Sequence, residues 1–85
     1  MRIIFSENAW EEYISWQKED VKILRKINTL IKEIQPLPFQ GIGKPEPLKF
    51  KFNGFWSRRI DNHHRLVYRL IEQELLICSC RFHYD

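Results

Sequence analysis

Residues 36–47, P-L-P-F-Q-G-I-G-K-P-E-P, divide this 85-residue chain into two parts with different periodicity. The stretch holds all four prolines and two of the three glycines, which is typical of a loop or an extended crossing. Before it, hydrophobic residues recur at the three-to-four-residue spacing of helices. After it, they alternate with a period of two. The sequence therefore predicts helices in the first part and strands in the second.

The part before this stretch predicts one strand and two helices. Residues 2–5 form a short run of β-branched and aromatic residues that reads as a strand. Ser6 follows as a helix N-cap, and the hydrophobic spacing predicts a first helix from about 7 to 17. A second hydrophobic stripe predicts a helix from about 20 to 35, which ends before Pro36. We expect these helices to form a packed hairpin.

The part after it predicts four strands of alternating polarity. They are residues 48–52, 55–60, 65–71 and 74–82. Asn53-Gly54, between the first two, is the strongest short signal for a β-hairpin. The whole chain, residues 1–85, is then a single α+β domain with an N-terminal strand, a two-helix hairpin and a four-stranded antiparallel meander. We expect the helices to pack on one face of the sheet and the other face to be basic.

The composition excludes several classes of protein. With 44% hydrophobic and 29% charged residues, the chain is neither disordered nor of low complexity. No stretch approaches the roughly 18 apolar residues of a membrane span, and none near the start resembles a signal peptide. Cys78 and Cys80 lie two apart in one predicted strand, where their side chains would point the same way with poor disulfide geometry. We therefore expect reduced thiols and a cytoplasmic location.

Positive charge is concentrated in the second part of the chain. Residues 1–43 carry six basic and six acidic side chains, whereas residues 44–69 carry seven basic and two acidic ones. Aromatic residues lie between these cations, namely Phe50, Phe52, Phe55, Trp56 and Tyr68. This pattern is typical of a surface that follows phosphates and stacks on bases, and it equally suits a solvated sheet face.

Two residues in this basic part are candidates for proton transfer. Glu46 is held between Pro45 and Pro47, which restrict its backbone, and His83 follows the last predicted strand. A carboxylate, an imidazole and several cations suffice for RNA cleavage without a metal ion. The base takes the proton of the 2′-hydroxyl, the acid protonates the leaving 5′-oxygen, and the cations stabilise the charge on phosphorus. We expect no cofactor, because Cys78, Cys80 and His83 would supply only three metal ligands from one strand.

Six stretches of the sequence together resemble a known family. They are WEEYISW (10–16), KINTLIK (26–32), PFQGIGKPEPLK (38–49), GFWSRRI (54–60), HRLVY (64–68) and CRFHY (80–84). Each is weak alone, but in combination they resemble the YoeB (Txe) toxins of the RelE/ParE superfamily over essentially the whole chain. The resemblance implies the toxin of a bacterial type II toxin-antitoxin system. Such a toxin is a ribosome-dependent endoribonuclease that cleaves translated mRNA in the A site of the 70S ribosome and so inhibits translation.

The same resemblance implies roles for individual residues and for partners. Glu46 matches the general base of the family, His83 its general acid, and Arg65 the group that stabilises the phosphorane. The residues that match substrate contacts are Lys49, Arg59 and Tyr84. The resemblance also implies a homodimer and a cognate YefM/Phd-like antitoxin whose C-terminal segment covers the active site.

Arg59 and Arg65 can act together only if both lie on the same face of the sheet. Whether they do depends on the number of residues that connect their strands. A simple even-numbered loop between Ile60 and Arg65 would place the two arginines on opposite faces of the sheet. The sequence therefore predicts an odd-numbered loop or a bulge at this connection.

Two other functions remain open. ParE-type members of the same superfamily act on DNA gyrase without cleaving RNA and would need neither Glu46 nor His83, so the presence of both residues argues against that alternative. A non-enzymatic module that binds RNA or the ribosome could use the same basic and aromatic sheet face.

Overall fold

The fold is one strand and two helices followed by four strands, which confirms the predicted α+β class. The structure, a computed structural model, describes residues 1–81. The first part of the chain forms strand β1 (Arg2–Phe5) and helices α1 (Glu7–Glu19) and α2 (Val21–Ile34). The second part forms strands β2 (Glu46–Pro47), β3 (Trp56–Arg59), β4 (Arg65–Ile71) and β5 (Glu74–Ser79). Neither helix in these 81 residues is long and apolar enough to cross a membrane.

Side-chain caps fix where the helices begin. Ser6 is the predicted N-cap of α1, and its hydroxyl accepts a hydrogen bond of 3.0 Å from the N–H of Ala9. The same hydroxyl donates to the carbonyl of Cys78 at 3.1 Å, which ties the start of α1 to β5. Asp20 caps α2 by accepting from the N–H groups of Lys22 and Ile23. It also ends α1, so the helices follow one another without a loop.

The sheet contains all five strands in the order β1-β5-β4-β3-β2. Strands β2 to β5 pair antiparallel in sequence, which confirms the predicted meander. β1 pairs parallel to β5, and the two helices provide the crossover that a parallel pair requires. The sheet is therefore mixed, with the N-terminal strand at one edge and the short β2 at the other.

The predicted strand at residues 48–52 is wrong. Only Glu46 and Pro47 pair with β3, and Phe50–Phe52 form a 3-10 helix instead. Phe50 has a φ of +58°, in the left-handed region, which is incompatible with an extended strand. Its ring is 91% exposed. The turn at Asn53 and Gly54 does form, with Gly54 at a φ of +96°.

Both helices pack on one face of the sheet and bury the core there. The core is formed by Ala9, Trp16, Ile27, Leu30, Ile31, Ile34, Ile60, Leu66, Tyr68, Leu75, Ile77 and Cys80. β4 shows the alternation behind this arrangement, because Leu66 and Tyr68 are in the core whereas Arg65 and Arg69 lie on the opposite face. The face away from the helices is basic, as predicted.

A β-bulge interrupts the pairing of β4 with β5. Tyr68 lies opposite Ile77, but its neighbour Val67 lies opposite Ser79, so β5 contains one extra residue at Cys78. The bulge shifts the alternation of β5 by one position. Ile77 is therefore in the core, whereas Ser79 lies on the basic face opposite Val67.

The bulge also gives the two cysteines different surroundings. The sequence predicted that Cys78 and Cys80 point the same way along a regular strand, and this does not hold. Cys80 is fully buried in the core, whereas Cys78 is half-buried and close to Arg69. Burial raises the pKa of the Cys78 thiol from 9.0 to about 11 and that of Cys80 from 9.0 to about 12. Both thiols are free, as expected.

Candidate functional site

One row of residues crosses the basic face of the sheet from β2 to β5. Glu46 lies opposite Ser57, Ser57 opposite Val67, and Val67 opposite Ser79. Residues directly opposite each other on neighbouring strands point to the same face. The exposed carboxylate of Glu46 therefore lies on the face away from the helices, at the edge formed by β2.

Arg59 and Arg65 lie on this same face, directly opposite each other on β3 and β4. The connection between them, residues 60–64, has an odd number of residues, which confirms the prediction about its parity. The N–H groups of Ile60 and Asp61 both donate to the carbonyl of His64, at 2.9 and 3.3 Å, and close the turn. Ile60 itself turns inward and is buried in the core.

The carboxylate of Asp61 holds the turn from the other side. It accepts hydrogen bonds from the N–H groups of His63 and His64 at 2.8 and 2.7 Å. Partial burial alone would raise the pKa of Asp61, but these two N–H groups and the neighbouring imidazoles lower it. The carboxylate of Asp61 therefore stays charged and closes the turn. The closed turn holds Arg59 and Arg65 opposite each other.

The spacing between Glu46 and Arg65 suits a ligand held between them. Two interstrand steps of about 4.8 Å and a two-residue step of about 6.8 Å place their Cα atoms about 12 Å apart. Because both side chains rise from the same face, a ligand can lie between them. Within residues 1–81, neither Arg59 nor Arg65 forms an ion pair with a carboxylate. The two guanidinium groups are therefore not neutralised by an acidic partner in that part of the chain.

The remaining predicted site residues are placed only in part. Lys49 is exposed and follows Leu48, whose N–H donates to the carbonyl of Phe55 at 2.8 Å. It therefore lies just beyond the paired end of β2, three residues after Glu46. His83 and Tyr84 lie outside the described residues. Among residues 1–81, no three His, Cys, Asp or Glu side chains are grouped so that they could hold a metal ion.

Helix α1 holds the chain as it leaves β5. The N–H of Cys80 donates to Glu12 Oε1 at 2.8 Å, and Trp16 Nε1 donates to the carbonyl of Cys80 at 2.9 Å. Both backbone groups of Cys80 are thus satisfied by side chains of α1, and the second bond is buried. The position of the backbone three residues before His83 is fixed by these contacts.

Arg81 extends this attachment by one residue. Its guanidinium lies 3.8 Å from the centre of the Trp16 ring, in cation–π contact. It also donates to Ser15 Oγ at 2.9 Å and forms an ion pair with Glu19. Sequence reasoning did not find these contacts, because they join residues more than 60 positions apart.

Arg58 is a second residue that sequence reasoning missed. It is fully buried, and it binds the loop that leads from α2 to β2. Its guanidinium donates to the carbonyls of Leu37, Gln40 and Ile42 and to the hydroxyl of Tyr68. Its burial could have been predicted from strand alternation. Consecutive residues of a strand point to opposite faces, so an outward Arg59 requires an inward Arg58.

Tyr68 completes this buried network. Its hydroxyl donates to the carbonyl of Pro38 at 2.6 Å while accepting from Arg58 Nε at 3.2 Å. Burial raises the pKa of Tyr68 although the nearby Arg58 opposes the rise, so the phenol remains a proton donor at neutral pH. The loop is thereby fixed over the sheet, and it delivers the chain to Glu46 in a defined position.

The chain also matches known proteins. Residues 5–84 match a family described as the YoeB-like toxin of bacterial type II toxin-antitoxin systems. The chain is 56% identical over 85 residues to Toxin YoeB of Synechocystis sp., with 100% of this chain and 99% of the relative covered. It is 54% identical over 84 residues to Toxin YoeB of Escherichia coli (strain K12), with 99% of this chain and 100% of the relative covered.

Solved structures of similar proteins share the fold closely. A YoeB/ParE toxin from Agrobacterium tumefaciens superposes with a TM-score of 0.94 at 45% identity, covering 99% of this chain and 100% of that one. A YoeB dimer from Staphylococcus aureus gives a TM-score of 0.93 at 45% identity, covering 99% and 98%. The heterotetrameric YoeB-YefM toxin-antitoxin complex from the same organism gives 0.91 at 45% identity, again covering 99% and 98%.

Proposed function

This chain belongs to the YoeB-like family of toxins of bacterial type II toxin-antitoxin systems, and from that premise we propose that it is a ribosome-dependent endoribonuclease of translated mRNA. The observation that carries the proposal is that Glu46, Arg59 and Arg65 come from three strands and share one face of the sheet. Their placement supplies a base and two cations on one surface. Its proposed substrate, the translated message, places the protein in the cytoplasm.

In the proposed reaction the 2′-hydroxyl of the message is the nucleophile. Glu46 takes the hydroxyl proton, and the oxygen attacks the neighbouring phosphorus to give a 2′,3′-cyclic phosphate. His83 protonates the departing 5′-oxygen, which leaves as a hydroxyl group. Arg65 stabilises the extra negative charge on the phosphorane, and the substrate contacts are made by Lys49, Arg59 and Tyr84.

The ribosome is an essential partner in this proposal. A glutamate is a weak base for a 2′-hydroxyl, and proton transfer by each catalytic group contributes only about 10²–10⁴ in rate. Much of the remaining acceleration is then supplied by cations and by the geometry that the ribosome imposes on the message. No metal ion or cofactor takes part in the reaction as proposed.

We propose two protein partners on the basis of the relatives. The Staphylococcus aureus proteins include a YoeB dimer and a YoeB-YefM complex, and their chains are 45% identical to this one. We therefore propose that this toxin forms a homodimer and binds a YefM/Phd-like antitoxin. The C-terminal segment of the antitoxin covers the basic face that carries Glu46 and Arg65.

The deciding experiment is a cell-free translation assay with mapping of the 5′ ends of a reporter message. Wild-type protein is expected to cut within translated codons, whereas His83→Gln and Glu46→Gln lose at least 100-fold of the rate, in line with the contribution of a general acid or base. Glu11→Gln, which changes another exposed acid on the helix side, is the matched control and should cut normally. An intact message with wild-type protein would reject the proposal, and supercoiling by gyrase would then be assayed.

A further inference from the structure

The connection between β2 and β3 is a structured tip rather than a loose loop. Here the hairpin tip means residues 49–55 together with Arg69. Within it, the N–H of Phe52 donates to the carbonyl of Lys49 at 3.2 Å, and that of Asn53 to Phe50 at 2.9 Å. The N–H of Phe55 donates to the carbonyl of Phe52 at 3.0 Å. These bonds hold the backbone of the tip in one conformation.

Phe50 has a position that folding does not explain. Its ring is 91% exposed, so the ring gains almost no hydrophobic stabilisation in this domain. Its φ of +58° is unfavourable for a residue with a bulky side chain, and such outliers concentrate where a protein contacts a ligand. An aromatic ring held outward by a rigid, strained turn is suited to stack on a flat partner.

The hairpin tip that carries this ring also contains three cations. Lys49 and Lys51 flank it in the sequence and are exposed, with Lys51 Nζ 5.3 Å from the centre of the Phe52 ring. Arg69 reaches the tip from β4, its guanidinium 5.3 Å from the centre of the Phe55 ring. Within residues 1–81 none of the three cations forms an ion pair with a carboxylate.

This combination favours RNA over a protein surface. An exposed aromatic ring next to unpaired cations is the arrangement by which proteins bind single-stranded nucleic acid, with bases stacked and phosphates neutralised. Lysine is depleted at protein interfaces, and one ring supplies little apolar surface for protein docking. The tip is also continuous with the candidate site, since Arg69 and Arg65 share a face of β4 about 13 Å apart.

We propose that the hairpin tip binds an unpaired ribonucleotide, with its base stacked on Phe50 and its flanking phosphates on Lys51 and Arg69. The inference extends the proposed function, because the tip would hold RNA beyond the nucleotide that is cut. It assigns binding to residues that lie outside the row formed by Glu46, Arg59 and Arg65.

The first test measures binding of a fluorescent, single-stranded RNA whose 2′-O-methyl groups prevent cleavage. Phe50→Asn removes the ring, and asparagine tolerates a positive φ. We expect binding about tenfold weaker, equivalent to about 1.4 kcal/mol. Phe50→Trp should bind at least as tightly as wild type. Val21→Asn makes a comparable change at a 48% exposed residue on the helix side and should not alter binding.

The salt dependence separates stacking from charge. Lys51→Gln and Arg69→Gln should each reduce the slope of log K against log salt by about 0.7, because each removes one phosphate contact to a single strand. Phe50→Asn should weaken binding without changing that slope. Equal binding by wild type and Phe50→Asn, or no binding of this RNA by wild type, would overturn the proposal. So would loss of antitoxin binding by Phe50→Asn with RNA binding unchanged.

The source of the bound nucleotide is found by mapping cuts in the translation assay. A changed distribution of cuts among codons with Phe50→Asn identifies a base of the message. Unchanged cut positions together with weaker binding to 70S ribosomes identify ribosomal RNA. Because the oligonucleotide cannot be cut, a protein that binds it but never cleaves a message contradicts only the proposed function.

Discussion

Arg58 is the side chain on which the loop before β2 depends. It is fully buried and carries its charge into the protein with only neutral oxygen atoms bound to it in the described part of the chain. Placing a charge there is unfavourable unless every donor is satisfied, which makes the arginine difficult to replace. Its neighbour Arg59 points the opposite way and is exposed. Of these two adjacent arginines, Arg58 therefore supports the structure, whereas Arg59 is exposed on the face of the proposed site.

We expect Arg58→Met to lower the free energy of unfolding by about 3 kcal/mol, because three loop carbonyls and Tyr68 lose their donor. Arg59→Met should change that free energy by less than about 0.5 kcal/mol and instead reduce cleavage. Urea unfolding of both variants checks the contrast. Similar losses of stability in the two variants would contradict the separate roles.

The two thiols should differ from ordinary cysteines in their reactivity. Burial raises the pKa of Cys78 to about 11 and that of Cys80 to about 12, so both are protonated at pH 8. We expect iodoacetamide to modify both slowly in the folded protein and rapidly in urea, as measured by mass spectrometry. As the pH rises above 9, the unfolded chain loses these protons first, so stability should fall toward pH 11. Fast alkylation of the native protein at pH 8 would contradict this burial.

The loop before β2 and the turn before β3 differ in how much space they leave for a side chain in place of a glycine. Gly43 has a φ of +82°, and a Cβ there would lie 3.0 Å from Leu30 Cδ2 and 3.1 Å from Arg58 Cβ. Gly54 also has a positive φ, but a Cβ there would meet nothing closer than 3.8 Å. Backbone strain is common to both positions, whereas crowding is confined to Gly43. The carbonyl of Gly43 also accepts from the N–H of Arg59 at 2.6 Å.

We expect Gly43→Ala to cost at least about 2 kcal/mol of stability, since strain of about 1 kcal/mol is joined by a clash with packed atoms. Gly54→Ala should cost about 1 kcal/mol from strain alone. Thermal unfolding measures both changes. The first variant should also reduce cleavage, because the loop positions Glu46. A larger loss in Gly54→Ala would show that the loop is looser than its contacts indicate.

Elements specified by local signals were predictable from the sequence, and those that depend on distant contacts were not. Ser6 as a cap, the helical stripes and the meander follow from spacing along the chain. The strand at 48–52 was predicted wrongly because a polar-apolar alternation does not reveal a left-handed Phe50. The bulge at Cys78 was also missed, because it is defined only by the pairing of β5 with β4.

The candidate site was predictable only in part. The joint role of Arg59 and Arg65 came from the family resemblance, and the odd-numbered connection was predicted from it, because only such a connection or a bulge puts both arginines on one face. Glu46 and His83 were candidates for proton transfer from the residues themselves. Their assignment as base and acid, and the roles of Lys49 and Tyr84, came from the family resemblance and remain predictions. The attachment of Arg81 to α1 could not be found from the sequence, because nothing local links residues so far apart.

The contacts of α1 with the end of β5 connect the first and last parts of the molecule. Glu12→Ala removes the acceptor for the N–H of Cys80 and should cost about 1–2 kcal/mol of stability. We expect a fall of about tenfold in the cleavage rate as well, because the backbone leading to His83 is no longer fixed. Single-turnover cleavage on ribosome complexes measures it, with Glu11→Gln as the control. An unchanged rate in a destabilised protein would restrict Glu12 to a structural role.

The pairing of β1 with β5 has a consequence for how the protein is made. Ser6, at the end of β1, bonds to Cys78, which is 72 residues later in the chain. A nascent chain therefore cannot complete this sheet until β5 has been synthesised. Folds dominated by such distant pairings form slowly. The finished fold therefore does not exist while the ribosome is still translating the codons of β5.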